Sequence, residues 1–481
     1  MAGSVSIWWV RLDLRLADNP ALRAAAARGA VVPAFIWAPE EESPWAPGAA
    51  SNWWLHQSLA ALDKRLRAAG ARLIVRRGGT VAQLRQLAEE TGASRVFWNR
   101  RYEPACVARD LAAREALRAA RTEAEPFDAA LLHDPQAVLN QSGQPFQVFT
   151  PFWKRCLARP DPAAPLPAPK ALAAPARWPA SLALADLQLE PRIPWAEGFR
   201  AVWRPGEAGA AATLGRFLAD AFDSYPERRD LPGAAGTSRL SPHLHFGEIS
   251  PRQIWHALRE MAAARGLAEA KWRASQFLAE LGWREFSHQL LCHFPHTPER
   301  PLRREFEKFP WRGETEPLRA WQKGQTGFPI VDAGMRELWA TGWMHNRVRM
   351  IAASFLVKDL LQPWQAGARW FWDTLVDADL AQNTLGWQWT SGCGADAAPY
   401  FRVFNPTAQG ERYDPDGDYV RRWCPELARL PPEWIHRPDQ APAPALRAAG
   451  VELGRDYPRP IVSHAAARAA ALEAFASIKA K

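Results

Sequence analysis

The sequence predicts an α/β domain on a doubly wound parallel sheet, then a long linker and an all-helical domain. Three observations predict it. Apolar strand-like runs alternate with helical stretches through the first third. A stretch dense in Pro and Ala follows, and beyond about residue 207 the periodic runs have helical spacing. With 481 residues the chain is long for one core. The boundaries fall at 1–135 for the α/β domain, 136–206 for the linker and 207–481 for the helical domain.

In chain order, VSIWWV (5–10), VVPAFIW (31–37), ARLIV (71–75) and SRVFW (94–98) read as strands. Between them NPALRAAAARG (19–29), SNWWLHQSLAALDKRLRAAG (51–70) and TVAQLRQLAEETG (80–92) read as helices. Ser51 and Thr80 stand where N-caps belong, and Gly70 and Gly92 where helices end. VRLDLRLADNP (10–20) carries no GxGxxG, so this domain is not expected to cradle a pyrophosphate at its first turn. Residues 160–194 are too rich in Pro and Ala to build a core and read as an extended connection. Helices then follow at 210–222, 250–266, 272–291, 331–342 and 345–361.

Composition narrows the function classes. Five cysteines without CxxC spacing speak against a disulfide framework, a zinc site and a cysteine-held cluster. No window has the ~18 apolar residues of a membrane span, and arginines stand early in MAGSVSIWWVRLDLR, so a cytoplasmic protein without a signal peptide is expected. The net charge of +9 suits a polyanionic partner. The 25 Trp exceed what core filling asks for and fit stacking or electron transfer as well.

Four stretches carry chemistry. In GTSRLSPHLHFGEISP (236–251), Thr237, Ser238 and Ser241 surround Arg239, a set suited to phosphate or to a helix start. QFLAELGWREF (276–286) places Gln276, Glu280, Trp283 and Arg284 on one helical face. A solvated face with a Glu280–Arg284 pair explains the charges but not the indole. TGWMHNRVRM (341–350) mixes Asn346, Arg347, Arg349 and Met350 around one helix, as at the border of a pocket, and His345 gets no role. In LVDADLAQNTLGWQW (375–389), Asp377 and Asp379 can oppose Arg349, and Asn383 and Trp387 lie four apart, with Trp389 on another face. No third ligand lies at metal spacing, so no metal is expected.

These stretches, in this order, resemble the photolyase/cryptochrome family nearly end to end. WVRLDLRLADNPAL (9–22), QPFQVFTPFWK (144–154), WQKGQTGFPIVDAGMR (321–336), GWQW (386–389) and the run beginning APYFRVFNP (398–406) complete the likeness. The resemblance implies light-dependent repair of cyclobutane pyrimidine dimers in UV-damaged DNA, by electron transfer from excited FADH⁻ to the flipped-out dimer, in a usually monomeric enzyme. It implies that Tyr225, Thr237, Ser238, Arg239, Leu240 and Ser241 bind the FAD phosphates and sugar, continued by Gln276 and Arg284. Arg349, Asp377 and Asp379 hold the isoalloxazine edge, and Asn383 faces its N5. Trp283 and Trp389 sandwich the dimer, Glu280 bonds its edge, Asn346 and Met350 wall it, and Arg347 and Arg402 contact phosphates. Trp387, Trp364 and Trp311 match the family's electron-transfer chain.

The segment 35–60 resembles plant cryptochromes and the bacterial photolyases near them, the class III branch. A cryptochrome photoreceptor is therefore the first alternative, and Asn383 and Trp389, where plant cryptochromes carry Asp and Tyr, favour repair. A (6-4) photolyase is the second, and Asn346 and Met350 weigh against it. A second, antenna chromophore is expected. NRRYEPACVARD (99–110) has Ala105 and Cys106 where one branch has a folate-binding Asn-Glu pair. The EEE segment (40–42) suggests methenyltetrahydrofolate bound differently, with a deazaflavin as the other choice.

Overall fold

The computed structural model describes residues 4–397 and 401–479; the APY of APYFRVFNP lies outside them. The chain divides into two compact units, one of 1–196, 200–220 and 238–295, the other of 197–199, 221–237 and 296–481. This division differs from the sequence boundaries, since helices as far as residue 295 group with the sheet.

The first unit holds a five-stranded parallel sheet of β1 (Ser4–Val10), β2 (Gly29–Trp37), β3 (Ile74–Arg77), β4 (Arg95–Asn99) and β5 (Glu123–Phe127), ordered β3-β2-β1-β4-β5. β1 is central, and Ile7, Trp8, Trp9 and Val10 are at most 1% exposed, which is why a continuous apolar run codes for it. Three strands match the expected ones, and the run expected at 71–75 meets β3 only at Ile74 and Val75. The fifth, EAEPF, is polar and half exposed at the sheet's edge, so it carries no apolar signal. The helix Pro104–Ala119 before it was not expected either.

Two caps differ from expectation. The helix Ala49–Ala68 starts from Gly48, leaving Ser51 buried inside it. Thr80 is the first residue of Thr80–Thr91, and Glu41 accepts from both its amide (2.8 Å) and its hydroxyl (2.5 Å), so a distant carboxylate does the capping. Gly92 closes that helix at φ +65°, as expected.

The Pro- and Ala-rich stretch is irregular but not a free connection. Ala173 accepts from the Val31 amide (2.9 Å), Leu172 donates to Ala69 (2.7 Å) and Leu182 donates to Val75 (3.0 Å). It thus runs along the β3 side of the sheet, with Trp178 packed on the core. The turn after β1 is filled by its own side chains. Arg15 lies buried with its guanidinium on the carbonyls of Asp18, Ala129 and Gly247, and Asp18 pairs with Arg252 (2.6 Å). Desolvation pulls the Arg15 pKa down despite the acids around it.

Among the described residues the second unit has no strand. Its helices include Pro329–Thr341, Asn346–Ser354, Trp364–Thr374, Leu380–Ser391 and His464–Lys479. A single π turn, Phe355–Asp359, follows Ser354. Part of the WQKGQTGFPIVDAGMR motif is structural: buried Asp332 accepts from the Thr326 amide and hydroxyl, and from the Tyr457 hydroxyl (2.6 Å). No helix among the described residues is long and apolar enough to cross a membrane.

Candidate functional site

The expected site residues fall in both units.

In the first unit, Arg239 takes φ +52°, an uncommon backbone for a side chain of its size. Its guanidinium lies 5.4 Å from the Trp203 ring centre, and the Leu240 amide donates to the Ser238 hydroxyl (3.4 Å). Ser241 then begins the short helix Ser241–His245, with Leu240 buried.

Helix Gln276–His293 carries the second group, and its face divides. Exposed Gln276 donates to Glu280 (2.9 Å). Arg284 turns inward, is buried, and donates to the Ala130 carbonyl (2.6 Å), so the Glu280–Arg284 pair of the solvated reading does not form. Gly282 is needed for packing, because a Cβ there would come within 2.5 Å of the Trp153 ring.

Trp283 is half-buried and stacks flat on Phe149, 3.9 Å between centres at 9°. One indole face is thereby covered by the protein. Phe149 is a supporting residue that no sequence rule assigned, although it stands inside the QPFQVFTPFWK motif. Removing it frees Trp283 to tilt. Phe149→Ala should lower stability by about 0.5–1.5 kcal/mol beyond the lost area, the worth of an aromatic pair, while Phe149→Trp keeps most of it; urea midpoints check it.

Next along the helix, the buried carboxylate of Glu285 accepts from the Leu132 amide (3.0 Å) and the His133 amide (3.1 Å), and burial pushes its pKa up to about 7. Between the ordinary carboxylate range and pH 7, the unfolded chain gives up this proton while the folded one keeps it. Stability from this group therefore falls as pH rises to about 7 and is flat above. The loss approaches about 3 kcal/mol. Glu285→Gln should show no such fall, and urea midpoints of both proteins at pH 5, 6, 7 and 8 measure the difference.

The antenna expectation meets a constraint in the same unit. Glu42 accepts from Arg101 (2.8 Å) and Arg109 (3.0 Å), and Glu41 is engaged by Thr80. Of the EEE segment only Glu40 is exposed, so two of the three carboxylates that suggested a folate serve the fold.

In the second unit, helix Asn346–Ser354 presents Asn346 exposed and Met350 half-buried. His345 is its N-cap, its ring Nδ1 accepting from the Arg347 amide (3.2 Å); burial lowers this imidazole to about 4, so it stays neutral. Arg347 donates to Asp230 (2.7 Å) and lies 4.4 Å from the Tyr413 ring centre. Arg349 forms a forked pair with Asp377 (3.1 and 2.8 Å) and donates its Nε to the Met344 carbonyl (2.7 Å). Asp379 does not face that guanidinium in this way; it caps helix Leu380–Ser391 by accepting from Gln382 (2.9 Å). Tyr225 is buried and Thr237 partly so.

Asn383 donates to the Ala368 carbonyl (3.0 Å), which leaves its amide oxygen as an acceptor. One turn on, Trp387 is buried, and its indole N–H has no partner among the described residues. Its ring lies against Phe371 (5.0 Å) and Trp321 (6.2 Å). Gly367 makes room for it, since a Cβ there would stand 2.1 Å from the indole. Trp364 is buried, and Trp311 is half-buried, 4.3 Å from Phe309. Trp389 donates to the Asp396 carbonyl (3.0 Å) and lines a cavity with Arg303, Lys358, Phe401 and Arg402.

These residues fit a flavin, since a guanidinium–carboxylate pair and a free amide oxygen suit the polar edge of a heteroaromatic ring.

A parallel-sheet domain and a helical domain whose residues fit a flavin define a flavoprotein class, and family models match both parts of the chain. A model described as DNA photolyase matches residues 6–170, and one described as FAD binding domain of DNA photolyase matches 277–477. The chain belongs to the photolyase/cryptochrome family. It is 49% identical to a deoxyribodipyrimidine photo-lyase of Agrobacterium fabrum, over 98% of both chains. It is 43% identical to cryptochrome-1 of Arabidopsis thaliana, covering 99% of this chain and 71% of that one. Its structure matches a bacterial class III photolyase from Agrobacterium tumefaciens with a TM-score of 0.96 and 48% identity, over 100% of this chain and 99% of that one.

Proposed function

We propose that the protein repairs cyclobutane pyrimidine dimers in DNA under blue light. The observation that carries this is Trp389, half-buried beside a cavity whose other walls include Arg303, Lys358 and Arg402. An indole face among cations suits a flipped base next to its phosphates. Trp283, stacked on Phe149, is by resemblance the second indole of this reading. Glu280 bonds the polar edge of the dimer, and Asn346 and Met350 shape the wall. Arg402 and Arg347 supply phosphate affinity that is salt-dependent and indifferent to sequence. Arg349, Asp377, Asp379, Asn383 and the Tyr225 and Thr237–Ser241 segments would hold FAD, which when bound would supply single-electron chemistry on absorbing light. Trp387, Trp364 and Trp311 would stand as the electron-transfer indoles. A second chromophore, folate or deazaflavin, belongs to the N-terminal domain.

The test is illumination of reduced protein with an oligonucleotide carrying one thymine dimer. Loss of the dimer in light and not in darkness supports the reading. A protein that binds flavin yet leaves the dimer intact is a photoreceptor instead, the reading that its likeness to cryptochrome-1 favours, unless it clears a (6-4) lesion.

A further inference from the structure

Lys358 lines the Trp389 cavity but is only 2% exposed, and its amine is turned to the protein's own chain. Burial pulls its ammonium down to about 7, so an apolar side chain would sit there at less cost unless the amine has work to do. Its Nζ donates to the Arg402 carbonyl (2.8 Å) and lies 3.6 Å from the centre of the Phe401 ring. Both the charged and the neutral amine can donate that bond. Four residues earlier, the Ser354 hydroxyl accepts from the Phe404 amide (3.4 Å). One helix end thus grips the 401–404 segment twice.

Lys358 stands in the π turn, where the Leu360 amide reaches back to Phe355 (3.0 Å), and such turns recur at functional positions. The other ionisable groups near it are Asp359, already bound to His464 (2.6 Å), Cys393 and Arg402 itself.

Resting on the DNA-binding reading above, we infer that Lys358 is a positioning residue for DNA binding. By holding the Phe401 ring and the Arg402 main chain, it sets where the Arg402 guanidinium meets the phosphate backbone.

The experiment is a double-mutant cycle of Lys358→Met and Arg402→Ala, measured as dark binding to a dimer-containing oligonucleotide and to the same strand undamaged. Amide exchange over 401–404 is followed in parallel. Lys358→Met should weaken binding about tenfold when Arg402 is present and less than about twofold when it is absent, since residues sharing one role are non-additive. Exchange at Phe404 should quicken. Equal losses in both backgrounds, or no loss, overturn the inference. If Lys358→Met does not fold, Lys358→Leu, which likewise removes the donor, takes its place in the same cycle. If the unaltered protein binds damaged and undamaged strands alike, the repair reading fails, while the cycle on the undamaged strand still decides the role of Lys358.

Discussion

Trp389→Ala should lower affinity for a dimer-containing oligonucleotide by about 10- to 100-fold, the worth of one base–aromatic stack, and remove most light-dependent repair. The indole has two contacts: it lines the cavity, and its N–H holds the Asp396 carbonyl. Trp389→Phe separates them, because a phenyl ring stacks but cannot donate. Affinity near the unaltered value for Phe, and lost for Ala, identifies stacking as the contribution. Equal loss in both variants assigns it instead to the Asp396 anchor and counts against the sandwich.

Asp377→Ala should yield colourless protein, with flavin retention at least about tenfold weaker, the worth of a charged hydrogen bond, because the partly exposed Arg349 guanidinium loses its carboxylate. The Asp377 side chain is 2% exposed and answers the Arg349 guanidinium with both oxygens. Lost colour alone could come from unfolding, so the double variant Arg349→Met, Asp377→Leu serves as control. Replacing both charges with apolar groups commonly restores stability. Native circular dichroism with no absorbance near 450 nm in that variant places the pair at the flavin. A coloured double variant would assign the pair to the fold alone.

What the sequence made legible follows from where each signal is stored. β1, β2 and β4 are inner strands and largely buried, so their apolar runs are local and readable, whereas β3, at one edge, is apolar only at Ile74 and Val75. β5 lies on the edge, where Glu123 and Glu125 are tolerated, and its pattern vanishes. Thr80 was assigned a capping role that Glu41 performs from 39 residues away. No window-based reading can see that. The same holds for the site. Helical spacing put Glu280, Trp283 and Arg284 on one helix, but only the fold turns Arg284 to Ala130 and slides Phe149 onto Trp283. The Arg349–Asp377 pair was foreseeable because both lie in recognisable motifs. Arg347 with Asp230 joins groups 117 residues apart, and nothing local announces it.

The stretch that stitches itself along β3 also imposes an order on synthesis. The last strand is complete at Phe127, yet Leu182, which donates to β3, leaves the ribosome 55 residues later. At about 5–20 residues per second the open flank waits roughly 3–11 seconds for its cover. During that interval a nascent sheet with unpaired strand groups is a template for a neighbouring chain. Slow translation through the proline-rich stretch would lengthen the exposure, so codon choice at 160–182 bears on how much of this protein is recovered without aggregation.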